Sequence, residues 1–278
     1  GRQRSRELVD HIAIGLGVAA SATAAASAPG QREGTIRVLN PSHSLEVRVP
    51  NPIDGDPNSA TLVAYQFGVP KIADRVRLAM LGEYMDRPVF EALRTERQLG
   101  YVVFGYVAPH ASIVEVRVLV QGFREPPDVV ETLVEETVRN LTAKIEALPA
   151  SELASRRQSL RTQLTKPPST LSQYAGQYWG QIWEGNHCFK KREMMLDALD
   201  SDAEVSAASL LDSWRRAVDP KTGLRKKIAV KLYGAGAAGR PLGAIRVDQL
   251  GPMSLVDSTS IRRRLQNEQY WPHEFVCG

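Results

Sequence analysis

Ser112-Ile-Val-Glu-Val-Arg-Val-Leu-Val-Gln121 alternates strictly, with Val114, Val116, Val118 and Val120 on one side and Glu115, Arg117 and Gln121 on the other. That period of two belongs to a strand with one buried face. Shortly after it, Pro126-Pro127 introduces a different period. Val130, Leu133, Val134, Val138, Leu141, Ile145 and Leu148 recur at helical spacing, and a proline suits the first turn of a helix. A half-buried strand followed by a long amphipathic helix predicts a sheet with a helical layer against its apolar side.

The rest of the chain repeats the two patterns. Thr35–Leu39 and Leu45–Val49 read as short strands around the turn-forming set Asn40-Pro-Ser-His43. Prolines and Asp54-Gly-Asp make residues 50–57 a loop, and Ala60–Phe67 is the next strand. Helical spacing begins near Lys71 with Ile72, Val76, Met80 and Tyr84, and Leu93 falls on a compatible face. Pro88 is expected to kink or divide that helix. Tyr101–Val107 reads as a strand and Glu152–Leu164 as a helix. Thr170-Leu-Ser-Gln173 and Ser201-Asp-Ala-Glu204 have capping-box spacing and should start helices running to about Trp183 and Val218. Ile228–Tyr233 is a last strand, followed by an extended tail from Gly234.

This order implies an α+β fold, a two-layer sandwich of a mainly antiparallel sheet with helices packed on one face. Residues 60–67, 101–107, 112–121 and 228–233 should share that sheet. Dividing the chain further would leave each half short of core, so residues 35–278 are taken as one domain. Residues 1–34 are taken as the end of a preceding domain and a low-complexity linker. The chain begins at Gly1 rather than Met, which reads as a piece of a longer protein.

Composition bounds the function. With 43% hydrophobic and 24% charged residues over 278 positions, the chain has the make-up of a globular domain. Ile12–Ala28 is its most membrane-like stretch, but it is mostly Ala, Gly and Ser and reads as linker; no membrane partner is expected. A net charge of +4 comes partly from Lys190-Lys-Arg192, Arg225-Lys-Lys227 and Arg262-Arg-Arg264. With 6% aromatic residues, those clusters lack the interleaved rings of a nucleic-acid surface. They read as solvated faces and a basic tail, with no nucleic-acid partner. Cys188 and Cys277 are too few for a disulfide framework and fit a reducing, intracellular compartment. Asn140-Leu-Thr142 is a glycosylation sequon inside a helical pattern and reads as chance.

Catalytic motifs are mostly excluded. The five histidines, His11, His43, His110, His187 and His273, form neither His-Glu-x-x-His nor His-x-x-Glu-His. No metal site is expected in this chain. His187-Cys188 are sequence neighbours that cannot face each other on a helix. Gly234-Ala-Gly-Ala-Ala-Gly239 matches the dinucleotide fingerprint, yet Arg240-Pro241 blocks the helix it needs. It reads as a flexible linker.

What remains is Phe90-Glu-Ala-Leu-Arg-Thr-Glu-Arg-Gln-Leu-Gly-Tyr-Val-Val-Phe104, which ends a helix, turns at Gly100 and enters a strand at Tyr101. Arg94 and Tyr101 then flank a helix-to-strand corner. A guanidinium offers forked donors to a carbonyl, and a phenol can donate to a developing oxyanion. The purely structural alternative has Arg94 capping its helix and Tyr101 half-buried in the strand.

This corner resembles the C-terminal domain of the insulin-degrading-enzyme (insulysin/pitrilysin, M16) family of zinc metallopeptidases, which carries a near-identical Leu-Arg-Thr … Gln-Leu-Gly-Tyr. Other motifs extend the likeness over roughly residues 35–235. These are Asn58–Gln66, Val118-Leu-Val-Gln121, Lys166-Pro167 with Tyr178-Trp-Gly-Gln-Ile182, and Phe189-Lys-Lys-Arg192. The tail Ile261-Arg-Arg-Arg-Leu265 with Trp271-Pro272 is also similar. Departures are Gln181, where the family has Glu, and Ala/Gly-rich insertions at 19–30 and 234–239.

The resemblance implies the last of four homologous domains, in which two halves enclose a peptide. Zinc would be a cofactor of the parent enzyme, bound by another domain; this chain would hold none and be inactive alone. Arg94 and Tyr101 would contact the substrate carbonyl and the oxyanion from across the chamber. Implied partners are peptide substrates and the N-terminal catalytic half of the same protein, and a homodimer is compatible with this. The alternative within the same likeness is a non-catalytic structural subunit or pseudoenzyme on the M16 fold.

Overall fold

The computed structural model describes residues 39, 41–110, 113–183, 188–237, 244–247 and 251–254. Its strands are β1 (Ser44–Pro50), β2 (Ser59–Gly68), β3 (Val102–His110), β4 (Ile113–Gly122), β5 (Lys227–Tyr233), β6 (Ala244–Val247) and β7 (Gly251–Ser254). They form one sheet in the order β3-β4-β2-β5-β1-β6-β7. Every pairing is antiparallel except β1 with β5. The four segments expected to share a sheet do so. The α+β architecture is as the two periodicities imply.

Register explains the layering. Val118 pairs with Val63 on β2 and with Gly105 on β3, and Val116 pairs with Tyr65 and Val107. Paired residues share a face, so all of these point to the same side. There they meet α1 (Ile72–Phe90), α2 (Pro127–Glu146) and α6 (Ala207–Val218). Val76, Met80 and Met85 of α1, Val134 and Val138 of α2 and Trp214 of α6 are buried against the strand valines. The Trp214 indole N–H donates to Thr142 Oγ1 at 3.0 Å, joining α6 to α2.

Several local expectations change. Pro88 does not divide its helix: α1 runs through it to Phe90, and the backbone widens only afterwards into a π-helical segment, Glu91–Glu96. Ser201 closes a helix that the sequence reading missed, α5 (Lys191–Asp200), and starts none. The capping box of α6 is Ser206 with Ser209, whose side chains each accept the other's backbone N–H at 3.2 and 2.8 Å. Ser206 has the extended backbone that an N-cap needs. Thr170 does cap α4 (Leu171–Trp183), accepting Gln173 N–H at 3.2 Å. The Gln173 carboxamide, however, reaches one residue further back, to Ser169 N–H at 2.8 Å.

The segment after Gly234 is not an extended tail throughout: β6 and β7 continue the sheet, β6 satisfying the outer edge of β1. The start of the glycine-rich stretch is anchored too, with Gly234 N–H on Ser59 Oγ at 3.0 Å and Ala235 N–H on Asp56 O at 2.7 Å. The expected strand at Thr35–Leu39 falls outside the described residues except for Leu39, which is buried and not in a strand. Arg262–Arg264 and the Trp271-Pro272 motif also fall outside them.

Arg225 and Lys227 are not a solvated basic face. On the helix side of β1 and β5 the valines give way to charge. Arg48 and Lys231, each 2% exposed, sit with Lys227 beneath the first turns of α2. Lys231 Nζ lies 2.7 Å from Asp128 and also pairs with Glu131. Arg48 reaches Asp128 at 2.5 Å, Lys227 reaches Glu131 at 2.7 Å, and Arg225 reaches Glu135 at 2.9 Å. Burial pushes the Asp128 carboxyl up, but Lys231 and Arg48 outweigh it and hold it at about 2. Burial likewise opposes ionisation of Glu131, and Lys227 and Lys231 again hold its pKa below the ordinary value.

Candidate functional site

The corner between the π-helical segment and β3 is built by two close backbone approaches. Leu99 N–H donates back to Leu93 O at 3.0 Å, closing the turn that carries Arg94. Leu93 and Leu99 are both buried and anchor that loop from below. Gln98 takes a left-handed conformation, φ 50°, and its side-chain oxygen and carbonyl both accept from Arg124. Gly100 then lies flat on the end of β4. A Cβ there would sit 2.0 Å from Gln121 O, and one on Gly122 would sit 2.6 Å from Gly100 Cα. Only glycine fits either place.

Tyr101 leaves this contact toward solvent. The strand begins one residue later than expected, at Val102, and Tyr101 N–H donates to Gln121 O at 3.1 Å. The side chain is 53% exposed. Its phenol oxygen accepts from Gln121 Nε2 at 2.6 Å. Gln121 is on the face opposite Val118 and Val120, so Tyr101 stands beside the sheet face that the helices leave open. Phe104, also 53% exposed, and its cross-strand partner Leu119 continue that face.

Arg94 is partly exposed in the last turn of the π-helical segment. Its neighbours are committed: Arg87 to Glu91 at 2.7 Å, Arg97 to Glu136 at 2.9 Å and Arg124 to Gln98 at 2.8 Å. Among the described residues, no hydrogen bond or ion pair engages Arg94. It therefore caps no helix carbonyl among them.

The open face is not bare along its whole length. Glu115, expected on the solvated side, is buried; it accepts from Arg117 at 2.8 Å and from Gln66 at 3.0 Å. Gln66 in turn accepts Leu39 N–H at 2.9 Å, so Leu39 sits at this end of the sheet. A separate cavity of about 850 Å³ opens between α1, β3, α5 and α3 (Ala150–Thr165), reaching Phe104, Tyr106, Glu83 and Arg156. Neither Arg94 nor Tyr101 lines it.

Zinc does not suit the corner, whose side chains are a guanidinium, a phenol and a carboxamide. Among the described residues, no His, Cys, Asp or Glu group is placed to hold a metal ion. Cys188 is buried and disulfide-bonded, which removes it as a nucleophile; His187 and Cys277 lie outside the described residues. No helix among the described residues is long and apolar enough to cross a membrane.

Sequence reasoning placed Arg94 and Tyr101 at a corner but gave Gln121 no role. The available signal was the register: a polar residue on the open face, followed by Gly122, closes the valine strand.

Residues 80–179 match the family described as PQQ synthase PqqF-like, C-terminal lobe domain 4. The chain is 23% identical to the insulin-degrading enzyme of Drosophila melanogaster over 175 residues, which is 63% of this chain and 17% of that protein. It thus spans only about a sixth of that relative's length. Among solved structures, pitrilysin superposes with a TM-score of 0.62 at 20% identity, covering 74% of this chain and 21% of that one. A Pseudomonas fluorescens structure described as a peptidase M16 inactive domain gives a TM-score of 0.51 at 13% identity, covering 72% of this chain and 44% of that one. The corner lies inside the matched segment, and the chain has the M16 peptidase-like fold.

Proposed function

We propose that this domain is the non-zinc-binding C-terminal part of an insulysin-like metalloendopeptidase. In this reading it encloses peptide substrates together with an N-terminal catalytic half. The observation that carries the reading is the joint availability of Arg94 and Tyr101, two good donors left uncommitted among the described residues at a corner where Gly100 and Gly122 have no room for a Cβ. A guanidinium with no protein partner among the described residues can turn its forked donors to a carbonyl, and a phenol fixed at a sheet edge is pre-organised for a ligand. Zinc, held by another domain of the parent enzyme, would supply the activated water. Arg94 binds a backbone carbonyl of the peptide, and Tyr101 donates its O–H to the scissile carbonyl oxygen as charge develops there. The domain by itself does not hydrolyse peptides.

A second reading, a purely structural M16 domain, is favoured by the similarity to the structure described as inactive. Peptide hydrolysis by the full-length protein separates the two. Loss of turnover on Tyr101→Phe with an unchanged fold supports the catalytic reading, and unchanged turnover supports the structural one.

A further inference from the structure

We infer that Gln121 is a positioning residue for Tyr101, holding the phenol so that its proton points away from the protein; this rests on the reading of Tyr101 as an oxyanion donor. A phenol oxygen has one proton to give and lone pairs to accept with. The Gln121 carboxamide N–H occupies an acceptor position at 2.6 Å, so that contact does not consume the proton. Tyr101 Oη makes no other hydrogen bond among the described residues. An N–H donated to the oxygen also polarises the O–H and strengthens it as a donor.

Gln121 is itself held firmly. It pairs with Val102 on one side and Ala60 on the other. Its carbonyl accepts Tyr101 N–H at 3.1 Å, and Gly100 packs onto that same carbonyl without room for a Cβ. One residue thus fixes both the main chain and the hydroxyl of Tyr101, and it does so from a strand flanked on both sides. Sites supported in this way hold their geometry far better than loops do.

The test is a double-mutant cycle in the full-length enzyme, with turnover, KM and thermal unfolding measured for each variant. Gln121→Ala should lower kcat about tenfold, the worth of a hydrogen bond of roughly 1.4 kcal/mol, with KM little changed. Gln121→Glu keeps the shape but places an acceptor against the phenol at neutral pH. It should draw the proton inward and cost at least as much, with a deficit that shrinks as pH falls toward the ordinary carboxylate range. In a Tyr101→Phe background both changes should be silent, because no hydroxyl remains to position.

A tenfold loss that persists in the Tyr101→Phe background would overturn the inference, as would a loss explained by lower thermal stability. Wild-type turnover for Gln121→Ala, with Tyr101→Phe impaired, would overturn it while leaving the functional reading intact. Wild-type turnover for Tyr101→Phe would remove that reading and this inference together.

Discussion

Gln121 holds Tyr101 twice, through its carbonyl to the backbone N–H at 3.1 Å and through its carboxamide to the phenol oxygen at 2.6 Å. The hydroxyl of an exposed tyrosine is ordinarily free to swing with its ring. Here it is tied to a strand flanked on both sides, and its proton remains available. Phe123, an exposed aromatic with no hydroxyl, has no such tie.

Tyr101→Phe removes one hydroxyl and little volume. In the full-length enzyme, kcat should fall by about 10²–10³, the usual cost of one oxyanion donor. Because the hydroxyl faces solvent, stability should stay within about 0.5 kcal/mol of wild type. Peptide turnover and denaturant unfolding measured on the same preparations check both halves of this expectation.

Arg94→Ala should raise KM and lower kcat together, since a bond to a substrate backbone carbonyl exists in both ground and transition states. With no partner lost among the described residues, unfolding should be nearly unchanged. A large drop in stability with normal kinetics would assign the guanidinium to the fold instead.

Gly100→Ala places a methyl 2.0 Å from Gln121 O. The corner must open to admit it, at a cost of about 1–3 kcal/mol. Because the same carbonyl orients Tyr101, turnover should fall further than the lost stability explains. Urea unfolding compared with activity well below the melting transition tests this.

The charge network beneath α2 should make stability depend on pH. The Asp128 carboxyl, at about 2 when folded, lies below its unfolded value near 3.9. Its contribution is therefore complete above that unfolded value and is lost as pH falls toward 2. Lys231, raised by Asp128 and Glu131 against the opposing effect of burial, contributes fully below the ordinary lysine range and loses its share at higher, alkaline pH. Asp128→Asn should cost about 1–2 kcal/mol at neutral pH, less than for a fully buried pair because the carboxylate is 36% exposed and screened. It should also flatten the acid side of the stability profile, as chemical unfolding between pH 2 and 7 would show.

By itself the sequence determined what local periodicity can report. The alternation at Val114–Val120 specified a strand and its buried face, and the spacing from Val130 to Ile145 specified the helix that covers it. Both patterns are set by burial, which repeats every two or every 3.6 residues. Leu-Arg-Thr … Leu-Gly-Tyr likewise marked a corner with Arg94 and Tyr101 on either side. The tertiary structure alone decided the contacts made across long separations. Arg225 meets Glu135 90 residues away and Lys227 meets Glu131 96 residues away, so a basic run that looked solvated is half of a partly buried network. β6 finds β1 only because that edge is left unpaired by β5. Gln121 reaches Tyr101 only because antiparallel register and two glycines without room for a Cβ bring the ends of β3 and β4 together, and no periodicity in the chain encodes that approach.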